Sequence, residues 1–399
     1  MSEAPWLTII GLGEDGLKGL SAASRTALEA AEIVIGPSRH LALIGDMPCE
    51  TRAWPVPFSD GIAPLLDLQG RQVVVFASGD PFWFGAGGTL ARHLAPEEWQ
   101  SLPGPSSFSL AANVLGWSLE QVTCHGLHAA PLTRLRPYLA PDSRIIVLLR
   151  DGAAVPELAV YLSDEGFGQS EMIVLEALGG SRERVTRVRA DALQTGGFDH
   201  PVCVAVQVAG EGSALPLASG RPDAWFDADG QITKQPVRAM TLAALAPQRH
   251  ELLWDIGGGS GSIAIEWLLA HPTCEAISFE RRADRAARIS ANATRLGVDR
   301  LSVVEGGAPH ALEAQAKPQA VFIGGGLSAD LLHWLERHLE PGTRLVANAV
   351  TLETESLLLQ AQQRRGGSLT RLELSAAEPL GSKRGWKSSY PIVQWSACL

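Results

Sequence analysis

Short apolar runs alternate with amphipathic stretches along most of the chain. From residue 6 to about 208, the runs WLTIIGLG, RQVVVFASG, SRIIVLLR, EMIVLEAL and PVCVAVQVAG alternate with segments such as SAASRTALEAAE and SSFSLAANVLGW. Runs of that length rich in Val and Ile predict strands, and apolar positions three and four apart predict helices. Between 209 and 231 the periodicity lapses, and Gly, Ala, Pro, Ser and Asp accumulate. Beyond it the alternation is cleaner. ELLWDIG, CEAISFE, RLSVVEGG, QAVFIGGG, TRLVANAVT, LTRLELSAA and PIVQWSA read as seven strands. Helices SIAIEWLLAHP, ADRAARISANATRLG, SADLLHWLERHLEPG and LETESLLLQAQQRRGG fall between the early ones. The pattern predicts an α/β chain with a first domain at 1–210, a linker at 211–230 and a second domain at 231–399. The second domain reads as a Rossmann-like, doubly wound sheet of seven strands. Its last two strands, joined by the helix-poor EPLGSKRGWKSSY, are expected to pair antiparallel.

The length of 399 residues exceeds what one core ordinarily fills, in keeping with two domains. A net charge of −10, with no long block of Lys and Arg, speaks against a nucleic-acid partner. The five cysteines (Cys49, Cys124, Cys203, Cys274, Cys398) are scattered, with no close pair and no metal-ligand spacing. No metal is therefore expected, and a reducing cytoplasm is. The start, MSEAPW, lacks a basic region before an apolar stretch, and no apolar run approaches the roughly 18 residues that cross a bilayer. The expectation is a soluble cytoplasmic protein with no membrane partner.

Two glycine clusters end strands. GLGEDG at 11–16 satisfies the G-x-G-x-x-G dinucleotide fingerprint letter for letter, whereas DIGGGSG at 255–261 misses it. In a doubly wound fold the nucleoside ribose is held by an acid at the carboxyl end of the second strand. Glu280 stands at that end, 23 positions after Gly257, but Glu32 begins its strand, IVIG, and points away from a ligand over GLGEDG. The near miss is thus the nucleoside site, and the literal match is a tight strand-to-loop turn. Asp255, at the loop's entry, would repel a pyrophosphate and attract a cationic ligand such as S-adenosylmethionine, which carries a sulfonium and an ammonium.

DIGGGSGS with Glu280 resembles motif I and the ribose acid of class I S-adenosylmethionine methyltransferases. Around it ITKQPVRAMTLAAL, EGGAP, FIGGG and VANAVTLET are similar to the decarboxylating precorrin methyltransferase domain of cobalamin biosynthesis. In the first half GLGEDGLKGLS, FASGDPFWFGAGGTL, LPGPSSFSLAANVLGW and TCHGL resemble successive elements of the tetrapyrrole methylase superfamily. Together the resemblances cover nearly the whole chain, in the order of a fused bifunctional enzyme.

They imply a two-lobed N-terminal tetrapyrrole methylase fold, with cofactor in its cleft held by Ser78, Gly79 and Asp80, and Trp83, Ser106 and Ser107 nearby. GLGEDG would line the cleft mouth, with Glu14 and Asp15 replacing the proline region of the superfamily's usual Gly-Pro-Gly turn. In the C-terminal domain they imply a cofactor site of Thr233, Asp255, Gly257, Gly258, Gly259, Ser260, Gly261 and Glu280. Ala308 would offer its backbone near adenine, and Gly307 stands where many such enzymes carry an acid. The implied activity is methylation of carbon 5 of an anionic tetrapyrrole, a precorrin, by the first domain. The second would methylate carbon 15 and release carbon dioxide from the acetate on carbon 12. Two S-adenosylmethionine sites per chain and a homo-oligomer are implied as well.

Asn348, at the end of the fifth strand, reads either as a donor to a reacting or propionate group, the one candidate catalytic residue, or as a turn-forming Asn. Lys383, Arg384 and Lys387 around Trp386 suit carboxylates beside a flat ring, or form a solvated hairpin turn. Arg281, Arg285 and Arg288 share one helix face that contacts substrate or is wet surface. His125 and His128 either serve the first cleft or are ordinary histidines. Methylation of a different tetrapyrrole such as a sirohaem precursor, a nicotinamide-dependent oxidoreductase and a non-catalytic macrocycle carrier are the alternatives.

Overall fold

Buried strands organise both halves of the computed structural model, which describes residues 5–193 and 196–399. The chain divides into two units, one running to Leu132 and including Tyr138–Ser213, the other comprising Thr133–Pro137 and Ala214–Leu399.

The first unit holds two sheets. β1 (Leu7–Leu12), β2 (Ile33–Gly36), β3 (Glu50–Ala53), β4 (Val73–Ser78) and β5 (Trp99–Leu102) form an all-parallel sheet in the order β3-β2-β4-β1-β5. β1 and β4 lie inside it, which explains their unbroken apolar runs. Alternate residues feed opposite faces: Leu7, Ile9, Val73 and Val75 pack in one core cluster, and Ile10, Leu12, Val74 and Phe76 in another. β6 (Thr123–Gly126), β7 (Arg144–Leu148), β8 (Glu171–Glu176), β9 (Arg184–Arg189) and β10 (Val202–Gln207) form a mixed sheet in the order β6-β7-β10-β8-β9. Only its β6–β7 pair is parallel. This is the two-lobed arrangement that the resemblance implied.

The second unit holds β11 (Leu252–Ile256), β12 (Glu275–Glu280), β13 (Ser302–Glu305), β14 (Ala320–Ile323), β15 (Arg344–Ala349), β16 (Ser368–Leu372), β17 (Ser375–Leu380), β18 (Lys383–Ser388) and β19 (Ile392–Cys398). Its seven-stranded sheet runs β13-β12-β11-β14-β15-β19-β16. The five strands from β13 to β15 are parallel, and β19 pairs antiparallel with both β15 and β16. Chain order reverses at β11, so the crevice beyond β11 and β14 is where such a sheet takes a ligand. The run LTRLELSAA is not one strand: it breaks into β16 and β17, and β17 with β18 makes a ribbon paired with itself.

The stretch expected as a linker, 211–230, is largely built into the second unit. Leu215 and Phe226 lie in that unit's core. Glu266 accepts hydrogen bonds from the backbone N–H of Gly220 (2.7 Å) and Arg221 (2.9 Å) and from Arg238 Nε (2.7 Å). Both Arg238 and Glu266 have fully buried side chains. The expectation missed this because lost periodicity marks irregular backbone, whereas here irregular backbone is fixed by side chains distant in sequence. Among the described residues no helix is long and apolar enough to cross a membrane, and no group of three or more His, Cys, Asp or Glu could hold a metal.

Candidate active sites

In the first unit three chain segments meet too closely for side chains. Gly79 N–H donates to Leu12 O (3.1 Å), and Gly104 N–H donates to Gly79 O (3.0 Å). A Cβ on Gly11 would overlap Gly79 O and Gly104 N, and one on Gly79 would sit 2.8 Å from Pro105 O. Gly11 of GLGEDG thus serves close packing of strand ends. Glu32 precedes β2, is exposed and pairs with Arg71 at 3.0 Å, as the rejection of a dinucleotide site there required.

Above this junction lies a cavity of about 410 Å³ between the two sheets of the unit. Its lining includes Ser78, Gly79, Asp80, Trp83, Ser106 and Ser107, so the structure brings all six candidates together. Two of their polar groups are partly spent locally. Asp80 Oδ1 accepts from Phe82 N–H (2.9 Å), and Ser106 Oγ caps the helix Ser107–Leu115 by accepting from Ser109 N–H (3.1 Å). Ser78 Oγ is within 3.1 Å of both Arg39 Nη2 and His40 Nε2. Burial and the Arg39 charge push the His40 pKa down to about 3, so this ring is neutral. Trp83 stacks obliquely on Phe108, with ring centroids 4.9 Å apart. Phe84 adopts φ 57°, a strained conformation for an aromatic residue, in the same loop. Of the two candidate histidines His128 lines the cavity, while His125 packs against Tyr138 and is held neutral by burial, its pKa lowered to about 4. Glu14, Arg39, His40 and His200 also line the cavity. No spacing rule marks these four, because a helix, Ser38–Ile44, and two loops distant in sequence bring them together.

In the second unit the loop after β11 is a tight glycine cradle. Gly257, Gly259 and Gly261 have φ of 74°, 60° and 76°, the left-handed region that glycine alone adopts without cost. A Cβ on Gly257 would lie 2.8 Å from Gly325 N, and one on Gly261 would lie 2.8 Å from Ile289 Cγ2. Gly258 packs over Ser278 with no room for a side chain. Ser260 is buried, its carbonyl accepting from Asn292 Nδ2 at 3.0 Å. Glu280 closes the cradle: Oε2 accepts from Gly259 N–H and Oε1 from Arg282 N–H, both at 3.0 Å. A carboxylate offers about four acceptor positions, so about two are left for a diol. Gly306 N–H donates to Glu280 O at 3.0 Å, which holds the 306–308 loop and Ala308 beside that acid. Thr233 precedes the helix Gln235–Leu245, and its carbonyl accepts from Arg238.

Asp255 departs from expectation. Its side chain is 1% exposed and sits under the loop against Ser278 Oγ (3.4 Å), so it does not meet a ligand cation directly; it braces the cradle from behind. Burial raises its pKa to about 7. The folded unit therefore retains a proton that an unfolded chain releases near pH 4. Its contribution to stability declines as pH rises from about 4 to 7, by up to about 1.4 kcal/mol per pH unit. Asp255→Asn is expected to flatten that decline, so that its urea midpoint relative to wild type improves between pH 4.5 and pH 8. An unchanged difference at the two pH values would refute the assignment of the proton.

Asn348 lies near the end of β15, two strands from β11, or about 10 Å away laterally. It is a strand residue, so the turn-forming alternative is corrected. Its Nδ2 donates to Thr241 Oγ1 (3.0 Å) and its Oδ1 accepts from Gln394 Nε2 (2.9 Å), while Gln394 Nε2 also reaches Thr241 Oγ1 (3.0 Å). Gln394 thereby spends both its N–H groups, and Asn348 retains one. Thr241 and Gln394, buried and polar inside a helix and a strand, carried no sequence signal of their own.

Arg285 bonds Asp229 and Gln231, and Arg288 pairs with Asp227 and Asp229, so these two clamp the irregular 214–231 stretch, a strap of the second unit, rather than face a ligand. Arg281 is exposed beside Gly307. In the β17–β18 ribbon Trp386 is 79% exposed and Lys387 pairs with Glu378 at 2.9 Å, the geometry of a solvated hairpin.

Two cradles of this kind, on a two-lobed fold and on a seven-stranded doubly wound sheet, define a two-domain methyltransferase. Residues 6–194 match the tetrapyrrole (corrin/porphyrin) methylases and residues 224–399 match the precorrin methyltransferase domain. The chain belongs to the family of precorrin-6Y C(5,15)-methyltransferases (decarboxylating). A member from Sinorhizobium sp is 50% identical over 398 residues, covering 98% of this chain and 96% of that protein. One from Mycobacterium tuberculosis is 39% identical over 396 residues, covering 98% and 99%. The crystal structure of the C-terminal domain of precorrin-6Y C5,15-methyltransferase from Rhodobacter capsulatus is 54% identical, with a TM-score of 0.45, and covers 46% of this chain and all of that one.

Proposed function

We propose that this chain, an S-adenosylmethionine-dependent methyltransferase, methylates precorrin-6B at carbons 5 and 15 and removes the carboxyl group of the acetate on carbon 12. In this reading the first unit acts on carbon 5 and the second on carbon 15 and the acetate. The observation that carries it is the glycine cradle closed by Glu280 at the carboxyl end of β12, which fits a ribose diol. The cavity holding Ser78, Gly79, Asp80, Trp83, Ser106 and Ser107 supplies the second cofactor seat, walled by apolar rings.

Bound in either seat, the sulfonium supplies an electrophilic methyl group. The protein's share is to hold an electron-rich ring carbon in line with it at near-attack distance and to exclude water, a source of large rate gains without a dedicated base. In the second unit Gly257 to Gly261 and Thr233 hold the nucleoside, and Ala308 offers main chain beside the base. Asn348, fixed by Thr241 and Gln394, presents its remaining N–H to the acetate and orients it. Loss of carbon dioxide leaves an electron pair for the conjugated macrocycle to accept, so no protein group need take it.

Cytoplasmic residence and self-association belong to the same reading; five free cysteines accord with a reducing compartment. Equilibrium dialysis with labelled S-adenosylmethionine is expected to give two bound per chain. Incubation with precorrin-6B should add two methyls and release one carbon dioxide, counted by mass. A single cofactor per chain, or transfer of one methyl only, would refute the two-seat reading.

A further inference from the structure

At the mouth of the first unit's cavity one carboxylate is shared by two guanidinium groups from opposite lobes. Glu14, in the loop after β1, has a side chain only 6% exposed. Its Oε1 accepts from Arg39, on the helix Ser38–Ile44 that follows β2, and its Oε2 accepts from Arg182 Nη2 (3.1 Å), on the β8–β9 loop of the other sheet. The approach is built in: a Cβ on Gly180 would lie 2.6 Å from Glu14 Cβ, so glycine is what lets that loop close on the acid. Within this cluster two cations face one anion, in a chain of net charge −10. The proximity is felt by Arg39, whose pKa is lowered by burial and then by the Arg182 charge. Neither guanidinium is exhausted. Arg182 spends one of its five N–H groups on Glu14, and Arg39 keeps its Nε–H after serving Glu14, His40 and Ser78.

We propose that Arg39 and Arg182 form a two-pronged seat for a peripheral carboxylate of the macrocycle, with Glu14 as the positioning residue that holds the prongs together across the two lobes. The inference rests on the reading of this cavity as the carbon-5 site. A planar fork that keeps spare N–H groups at a partly desolvated rim matches a carboxylate, and Trp83, Phe84 and Phe58 on the cavity wall offer faces to the ring behind it. The competing explanation is that the three side chains only strap the lobes together.

The test uses the full chain with Arg182→Ala, Arg182→Lys and Glu14→Gln. For carbon-5 transfer from labelled S-adenosylmethionine, Arg182→Ala should raise the KM for the macrocycle roughly tenfold, with kcat changed less than threefold and the KM for cofactor unmoved; Arg182→Lys should recover part of the loss. Binding of uroporphyrin, an eight-carboxylate macrocycle followed by fluorescence, should weaken by a similar factor in Arg182→Ala. It should tighten in Glu14→Gln, where two cations lose their resident anion. Wild-type KM and uroporphyrin affinity in Arg182→Ala would overturn the seat. So would parallel changes in kcat and both KM values with a lowered unfolding temperature, which mark a strap. If the wild type transfers no methyl to carbon 5, it is the reading of the cavity that fails, and the uroporphyrin titration still decides the seat.

Discussion

Glu280→Ala is expected to convert a double methyltransferase into a single one. On the proposed two-seat reading the cofactor bound per chain should fall from two to one, carbon 15 should no longer be methylated nor carbon dioxide released, and transfer to carbon 5 should continue at its former rate. The carboxylate satisfies the N–H groups of Gly259 and Arg282, and in the proposed reading its remaining acceptor positions take the ribose. Hydrogen bonds to a charged group contribute about 1.5–3 kcal/mol each, so losing two at the ribose weakens this site at least about 100-fold. Glu280→Gln keeps one acceptor oxygen and should lose closer to tenfold. Calorimetric titration with S-adenosylmethionine, beside the mass of the product, separates the outcomes. Two cofactors still bound with near-native affinity in the alanine variant would remove Glu280 from the site.

The largest effect on stability is expected at Glu266. Its carboxylate takes the N–H groups of Gly220 and Arg221 and the Nε–H of Arg238, and it lies 3.4 Å from Arg221 Nη1. Arg238 is also paired with Asp223 at 3.1 Å. Glu266→Gln preserves shape but leaves buried guanidinium charge short of a counter-ion, a change that typically costs about 3–5 kcal/mol. The unfolding transition of the second unit in urea should move to lower denaturant by that amount, with its slope retained. A shift under about 1 kcal/mol would mean that Asp223 alone neutralises the cluster.

The sequence made the inner strands legible and the outer ones obscure, for a physical reason. β1, β4, β8, β10 and β11 are buried on both faces, so their apolar runs stand out whatever surrounds them. β3 reads ETRA and is exposed throughout, and β9 reads RVTRVR with its arginines outward; edge strands of that kind are specified by pairing rather than by pattern. Glycine loops were legible because backbone crowding forbids other residues, and Glu280 because strand length fixes where an acid falls. Asp255 was misread: its position in the chain was plain, but whether its carboxylate faced the hollow or the sheet depended on burial against Ser278. Glu14, Arg39 and Arg182 meet across loops that no spacing relates. The strap residues Asp227 and Asp229 share the composition of a linker, and only folding brings Arg285 and Arg288 against them.

That strap decides where the C-terminal half can be cut free. A fragment begun at residue 231, where the strand-and-helix alternation resumes, would discard the core side chains Leu215 and Phe226, strip Arg285 and Arg288 of their acidic partners and leave Arg238 with Glu266 but without Asp223. One begun at Ala214 keeps them all. Autonomous folding should therefore depend on some seventeen residues of unpatterned chain, which act as a structural hem rather than a tether.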